Sequence, residues 1–225
     1  MIPPDKETDT SPPSAQLVWD VPTRVFHWLL VLCVAGAWAS AESERTKLIH
    51  LSFGYCAGAL VLWRLLWGVV GSRYARFTDF VKSPAAAWAY LRGYMPWAAG
   101  AQPASFVGHN PAGGWAVLGL LALLAGAVAS GWWAEQPDAL EIAGEVHEAL
   151  ANGLFLLVGV HVLAVVATGL IHGESLVRAM LTGRKQARTT QAIGSAHRLL
   201  GALLALATFA LWLAIYTGQF PALTA

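Results

Sequence analysis

The sequence predicts an all-α integral membrane protein, a bundle of four core transmembrane helices with a fifth transmembrane helix at the C-terminal end. Three observations carry this. Of 225 residues, 56% are hydrophobic and 12% charged, and mean hydropathy is +0.54, far from a soluble globular domain. Five apolar stretches reach the roughly 17–25 residues that a helix needs to cross a bilayer. Lys and Arg are also distributed very unevenly around those stretches.

The first stretch, Thr23–Ala41, is the shortest. His50–Val70, Pro111–Trp133, His147–Ile171 and Ile193–Tyr216 follow. Trp28, Trp67, Trp97, Trp132 and Trp133 fall near the ends of these spans, where indole rings favour the membrane–water interface. With the N-terminus inside, the inner segments hold Lys6, Arg24, Arg73, Arg76, Lys82, Arg92, Arg178, Arg184, Lys185, Arg188 and Arg198, and the outer segments only Arg45 and Lys47. That bias predicts a cytoplasmic N-terminus and, after five spans, a periplasmic C-terminus.

The polar start, "PPDKETDTSPPS", lacks the basic head and apolar centre of a secretory signal. Residues 1–17 are expected to form a disordered cytoplasmic segment, 18–185 the main membrane domain, and 186–225 an additional span and C-terminus. In "SPAAAWAYLRGYMPW", Ser83 can cap a short inner-surface helix with Pro84 at its first position. The loop before the fourth span carries Glu135, Asp138, Glu141, Glu145 and Glu148 without a Lys or Arg, so the outer face is acidic there. Cys33 and Cys56 sit in separate spans and read as small buried hydrophobes. No Cys-x-x-Cys-His occurs, which excludes covalent haem attachment by that motif.

Seven histidines remain to be explained: His27, His50, His109, His147, His161, His172 and His197. In the fourth span His147 and His161 are 14 residues apart. That is about 21 Å of rise and nearly four whole turns, so both rings leave one face at two depths. The second span runs inward and starts at His50, level with His147. The first runs outward with His27 one turn in, level with His161. Two pairs result: His50 with His147 outside, His27 with His161 inside. A buried ionisable group in a span is costly and marks a functional site by default. Two facing imidazoles in a bundle can hold an iron porphyrin between them. Both axial positions would be filled, so such iron passes electrons rather than binding oxygen.

Gly54 and Gly58 share the His50 face at i+4 and i+8 and would leave room for a flat ring. The same spacing also serves helix packing. Arg64, 14 residues after His50, returns to that face deeper in the membrane, where it can meet a propionate or snorkel to the surface. His109, Asn110 and His172 fall at the inner ends of the third and fourth spans. They can hydrogen-bond a quinone carbonyl and supply protons. They, like His197, equally suit helix caps and solvated helix ends.

"VWDVPTRVFHWLLVL" resembles the first helix of the bacterial cytochrome b561 family, which includes the b-type cytochrome subunits of nickel–iron hydrogenases. "HLSFGYCAGALVLWRLLWGVVGSRYARF" resembles its second helix and loop, and "GHNPAGGWAVLGLLALL" the start of its third. "HEALANGLFLLVGVHVLAVV" and "HGESLVRAMLTGRK" resemble its fourth helix and the tail beyond. The resemblance covers about Val18 to Lys185. It implies two non-covalent b haems with bis-histidine ligation, whose ligand pattern falls on His27, His50, His147 and His161. It also implies electron transfer between membrane quinone and a periplasmic redox protein, such as a c-type cytochrome or a hydrogenase-like subunit. The fifth span has no counterpart in the smallest members.

A superoxide oxidase or other outer-face oxidoreductase feeding quinone is the alternative, although acidic residues there repel an anionic substrate. A histidine-lined metal transporter would need more polar residues through the membrane centre. The expected surroundings are a bacterial inner membrane, its lipid and quinone, with no nucleic acid. A homodimer is compatible with the sequence.

Overall fold

The computed structural model describes residue 12 and residues 14–94 and 105–220. Most of the expected disordered segment, together with Trp97, lies outside the described residues. In chain order the elements are strand β1 (Ser14–Leu17), helices α1 (Val21–Ala39), α2 (Lys47–Val70), α3 (Phe77–Phe80), α4 (Pro84–Arg92), α5 (Pro111–Ala134), α6 (Ile142–His172) and α7 (Leu176–Thr182), strand β2 (Arg184–Ala187) and helix α8 (Arg198–Tyr216). α1, α2, α5, α6 and α8 are long and apolar enough to cross a membrane. Leucines and valines such as Leu62, Val69, Leu163, Leu170 and Leu206 are exposed on their outer surfaces. In water that would be costly; in lipid it is the expected arrangement.

Local chemistry sets the helix ends. Asp20 is fully buried and caps α1, accepting from the Thr23 backbone N–H at 2.7 Å and from Trp67 Nε1–H at 3.1 Å. Ser83 caps α4 through the Ala86 N–H, as expected. Asn110 caps α5 with Pro111 behind it. α6 ends at Gly173 and α7 at Gly183, both at positive φ, where a side chain would strain the backbone.

The packing series is α6–α5–α2–α1, with α8 laid across α1 and α2. Gly201 of α8 fits against Val21 at the start of α1, and the Cys56 thiol lies 3.7 Å from the Thr208 carbonyl. α1 and α6 meet where Trp38 stacks on Phe155 at 5.0 Å. Phe26, Cys33, Cys56, Leu60, Val61, Leu121, Leu124, Leu154 and Leu204 form the main core.

Four expectations are corrected. β1 pairs antiparallel with β2, Ser14 opposite Ala187 and Leu17 opposite Arg184. Residues 14–17 are therefore ordered, and this sheet crosses both expected boundaries, at 17/18 and 185/186. The fifth membrane helix begins at Arg198 rather than Ile193. Ile193 instead donates to the Leu17 carbonyl and joins Val18, Trp19, Tyr74, Ala179 and Ala187 in a small core beneath the bundle. α6 begins at Ile142, so His147 stands inside the helix rather than at its start. Trp67 is buried against Asp20 instead of lying at an interface, whereas Trp28, Trp132 and Trp133 are exposed.

Candidate functional site

His50 stands in the first turn of α2, beside the end of α1. Its Nδ1 lies 2.8 Å from the Ala37 carbonyl. His147, in the second turn of α6, places its Nδ1 2.8 Å from the Ala127 carbonyl of α5. A carbonyl oxygen only accepts, so each Nδ1 carries the proton. In a neutral ring that leaves the Nε2 lone pair free. The two rings face each other with centroids 5.9 Å apart and planes 80° apart. Imidazoles that bind a metal through one nitrogen almost always donate from the other to a carbonyl or carboxylate, and both rings are held in this way. Among the described residues no group of three or more His, Cys, Asp or Glu forms a metal cage. A two-histidine axial site is not of that kind.

Gly131, on α5, is a site residue that sequence reasoning missed. A Cβ there would come within 2.8 Å of His147 Nδ1 and 2.9 Å of Cε1. Only a glycine allows the ring to lie against this backbone while reaching Ala127. The signal was hidden because Gly131 and His147 belong to different helices.

The other pair lies toward the face where α1 begins. His27 leans edge-on against Trp28 at 5.0 Å, and its buried Nδ1 has no hydrogen-bond partner among the described residues. His161 lies within electrostatic reach of it. Arg64 is 3% exposed, with its guanidinium over the rings of Phe77 (4.8 Å) and Phe80 (5.6 Å). Among the described residues its Nη1 has no hydrogen-bond partner, and no carboxylate forms an ion pair with it. A buried cation with an open donor suits an anionic group. The two glycines divide the alternatives between them. A Cβ on Gly54 would meet nothing within 4 Å, whereas one on Gly58 would come within 2.9 Å of Val128. Gly58 thus packs closely against Val128 of α5, and Gly54 leaves space beside the His50 face.

His109 is wedged between Trp19 (4.9 Å) and Phe80 (4.5 Å). Burial pushes its imidazole down to about 3, and the charges of Arg64, His161, Lys185 and His27 add to this. The ring is therefore neutral. Asn110 and His172 line one cleft with Tyr90, Phe106, Glu174 and Lys185, and His109 is not part of that lining. Asn110 Oδ1 is committed to the Gly113 N–H at 2.6 Å. His172 Nε2 lies 3.4 Å from the Tyr94 hydroxyl, which is 2.6 Å from that of Tyr90. Burial raises the Tyr90 phenol, and its bond to Tyr94 raises it further. The expected trio is thus split, with two members in the cleft and His109 outside it.

On the opposite face, Glu135 forms an ion pair with Lys47 at 2.8 Å. It ties α5 to α2 rather than standing free. Asp138, Glu141, Glu145 and Glu148 are exposed, the last two on α6.

The family model described as prokaryotic cytochrome b561 matches residues 18–183. The chain is 32% identical over 117 residues to the "Probable Ni/Fe-hydrogenase 1 B-type cytochrome subunit" of Escherichia coli strain K12. The protein of that name from Escherichia coli O157:H7 matches to the same extent. Each alignment covers 42% of this chain and 49% of the relative, so the chain spans about half the length of the curated relatives it matches. No solved structure matches.

Proposed function

Because the chain belongs to the prokaryotic cytochrome b561 family, and is thus a multi-pass membrane b-type cytochrome of electron transfer that carries haem b, we propose that it links the quinone pool to a periplasmic redox protein through two haem sites. His50 and His147 hold one haem near the periplasmic face, and His27 and His161 the other near the cytoplasmic face. The observation that carries this reading is the facing of His50 and His147 at 5.9 Å, each with Nδ1 anchored to a carbonyl.

Bound haem b supplies a one-electron iron couple. The chain's own residues do the rest. The Nδ1–carbonyl bonds of His50 and His147 hold the rings in one tautomer and orientation, which keeps the ligand basic. Gly54 leaves room for a porphyrin, and Arg64 offers its open donor to a propionate carboxylate. The apolar core between the two levels excludes water, and the 14-residue register of α6 sets the sites about 21 Å apart. The cleft holding Asn110 and His172 receives quinone on the N-terminal face, and the Lys and Arg bias supports a cytoplasmic placement of that face. A hydrogenase subunit is the partner that the names of the two relatives suggest. A soluble c-type cytochrome is the other candidate.

The test is direct. The purified protein in lipid nanodiscs should contain two b haems per chain by pyridine haemochrome assay. Both should be reduced by a quinol and reoxidised by an added c-type cytochrome or hydrogenase. One haem per chain, or haems indifferent to quinol, would overturn the reading.

A further inference from the structure

Lys185 is only 6% exposed, which is rare for a lysine unless it is paired. β2 alternates exposed and buried residues, so Lys185 and Ala187 point inward while Arg184 and Gln186 point out. Pairing of Lys185 with Gln16 of β1 holds it in that register. Its ammonium donates to the Phe106 carbonyl at 2.9 Å and meets Glu174 Oε2 at 3.2 Å. Among the described residues these contacts use two of its three donors, and the side chain lines the cleft beside Asn110 and His172.

Glu174 follows the left-handed Gly173, and its N–H closes onto the Gly169 carbonyl at 3.0 Å. Its carboxylate is thereby held at the end of α6. Tyr90, edge-on to Phe106 at 5.6 Å, adds aromatic rings to the lining. With Asn110 Oδ1 committed to the helix cap, its Nδ2 is left to donate. The cleft therefore offers donors beside aromatic rings. The enclosed space is about 40 Å³, which admits the carbonyl edge of a ring rather than a whole head group, and the Glu174 carboxylate disfavours a multiply charged anion.

We propose that Lys185 anchors a carbonyl oxygen of the quinone head group in this cleft, with Glu174 holding the ammonium in place. This rests on the assignment of quinone as the electron-exchange partner. Lys185 is a binding residue here, and Glu174 a positioning residue.

The experiment uses the haem-loaded protein in nanodiscs and a decyl-substituted benzoquinone. Lys185→Met should raise the KM for the quinone about 10- to 100-fold, as expected when a charged hydrogen bond is lost. It should change kcat much less and leave both haem spectra intact. Lys185→Arg should recover part of the loss, and Glu174→Gln should raise KM by a smaller factor. An azido-benzoquinone should photolabel wild-type protein within 168–185, 90–94 or 105–110. An unchanged KM in Lys185→Met would overturn the proposal, as would labelling confined elsewhere, while quinone exchange itself stood. If Lys185→Met fails to retain haem, labelling of the wild-type protein decides. Wild-type protein that exchanges no electrons with the quinone would overturn both the anchor and the functional reading beneath it.

Discussion

The imidazoles of His50 and His147 face each other across α2 and α6 with centroids 5.9 Å apart, and each is held from behind by a carbonyl of a third or fourth helix. Four helices thus converge on one two-histidine site: α1 through Ala37, α2 through His50, α5 through Ala127 and α6 through His147. The arrangement does not depend on any one helix contact, and removing either imidazole leaves the other anchored.

From this follows a separation of the two sites. His50→Ala should abolish or cripple the haem near the face where α1 ends and largely spare the other. His161→Ala should do the reverse. Haem content and low-spin visible spectra of each variant are the readout. Two intact haems in either variant would remove the pairing.

Gly131→Ala tests the packing behind His147. The added methyl would fall 2.8 Å from Nδ1, so the ring must turn and its bond to Ala127 must lengthen. Loss of a bond that orients a metal-binding histidine typically costs 10- to 100-fold in metal affinity or activity. A redox titration should show one haem midpoint shifted and the other unmoved. Identical midpoints in wild type and variant would mean that the contact is relieved elsewhere.

His109 makes acid sensitivity predictable. Burial holds its imidazole at about 3, against 6.5 for a free ring. As pH falls from 6.5 toward 3, the unfolded chain takes up a proton that the folded chain refuses. Stability from this group is therefore complete above about 6.5 and declines below it, with a limiting slope of about 1.4 kcal/mol per pH unit. His109→Gln should flatten the fall of the thermal midpoint between pH 6.5 and 4.5. An equally steep fall in the variant would assign the acid response to other groups.

Some of the fold and site is legible in the sequence, and the reasons differ by residue. Five spans are readable because an unbroken apolar run of some twenty residues matches the thickness of a bilayer and exceeds what most soluble cores can bury. The level of His50 with His147 is readable because helix rise converts residue spacing into depth. The β1–β2 sheet is not readable: SAQL and RKQA are four residues each and too polar to carry a strand signal. The carbonyls of Ala37 and Ala127 are equally silent, since a backbone acceptor leaves no mark on residue type. Lys185 is visible only as one more inner cation, because its burial depends on a strand pairing that the sequence hides. Glu135 reads as a free acid for the same reason: its partner Lys47 lies on another helix.

The acidic face gives the final prediction. Pairing with Lys47 at 2.8 Å removes Glu135 from the free carboxylates. Asp138, Glu141, Glu145 and Glu148 remain exposed at the entrance to α6, with Glu145 and Glu148 within one turn of His147. A redox partner with a basic face would be drawn there, and long-range attraction raises encounter rates more than affinity. Exposed charges are screened beyond about 8 Å at physiological salt. Replacing Asp138, Glu141 and Glu145 together with their amides should therefore slow electron exchange with a basic c-type cytochrome at low salt, and the difference from wild type should shrink as salt rises. Both haem spectra should be unchanged, since none of the three is a ligand. Glu135→Gln should behave differently: it breaks the tie between α5 and α2, so it should lower the thermal midpoint more than the low-salt exchange rate. Exchange that is insensitive to both salt and the triple replacement would show that the partner docks elsewhere, and the two-haem reading would be unaffected.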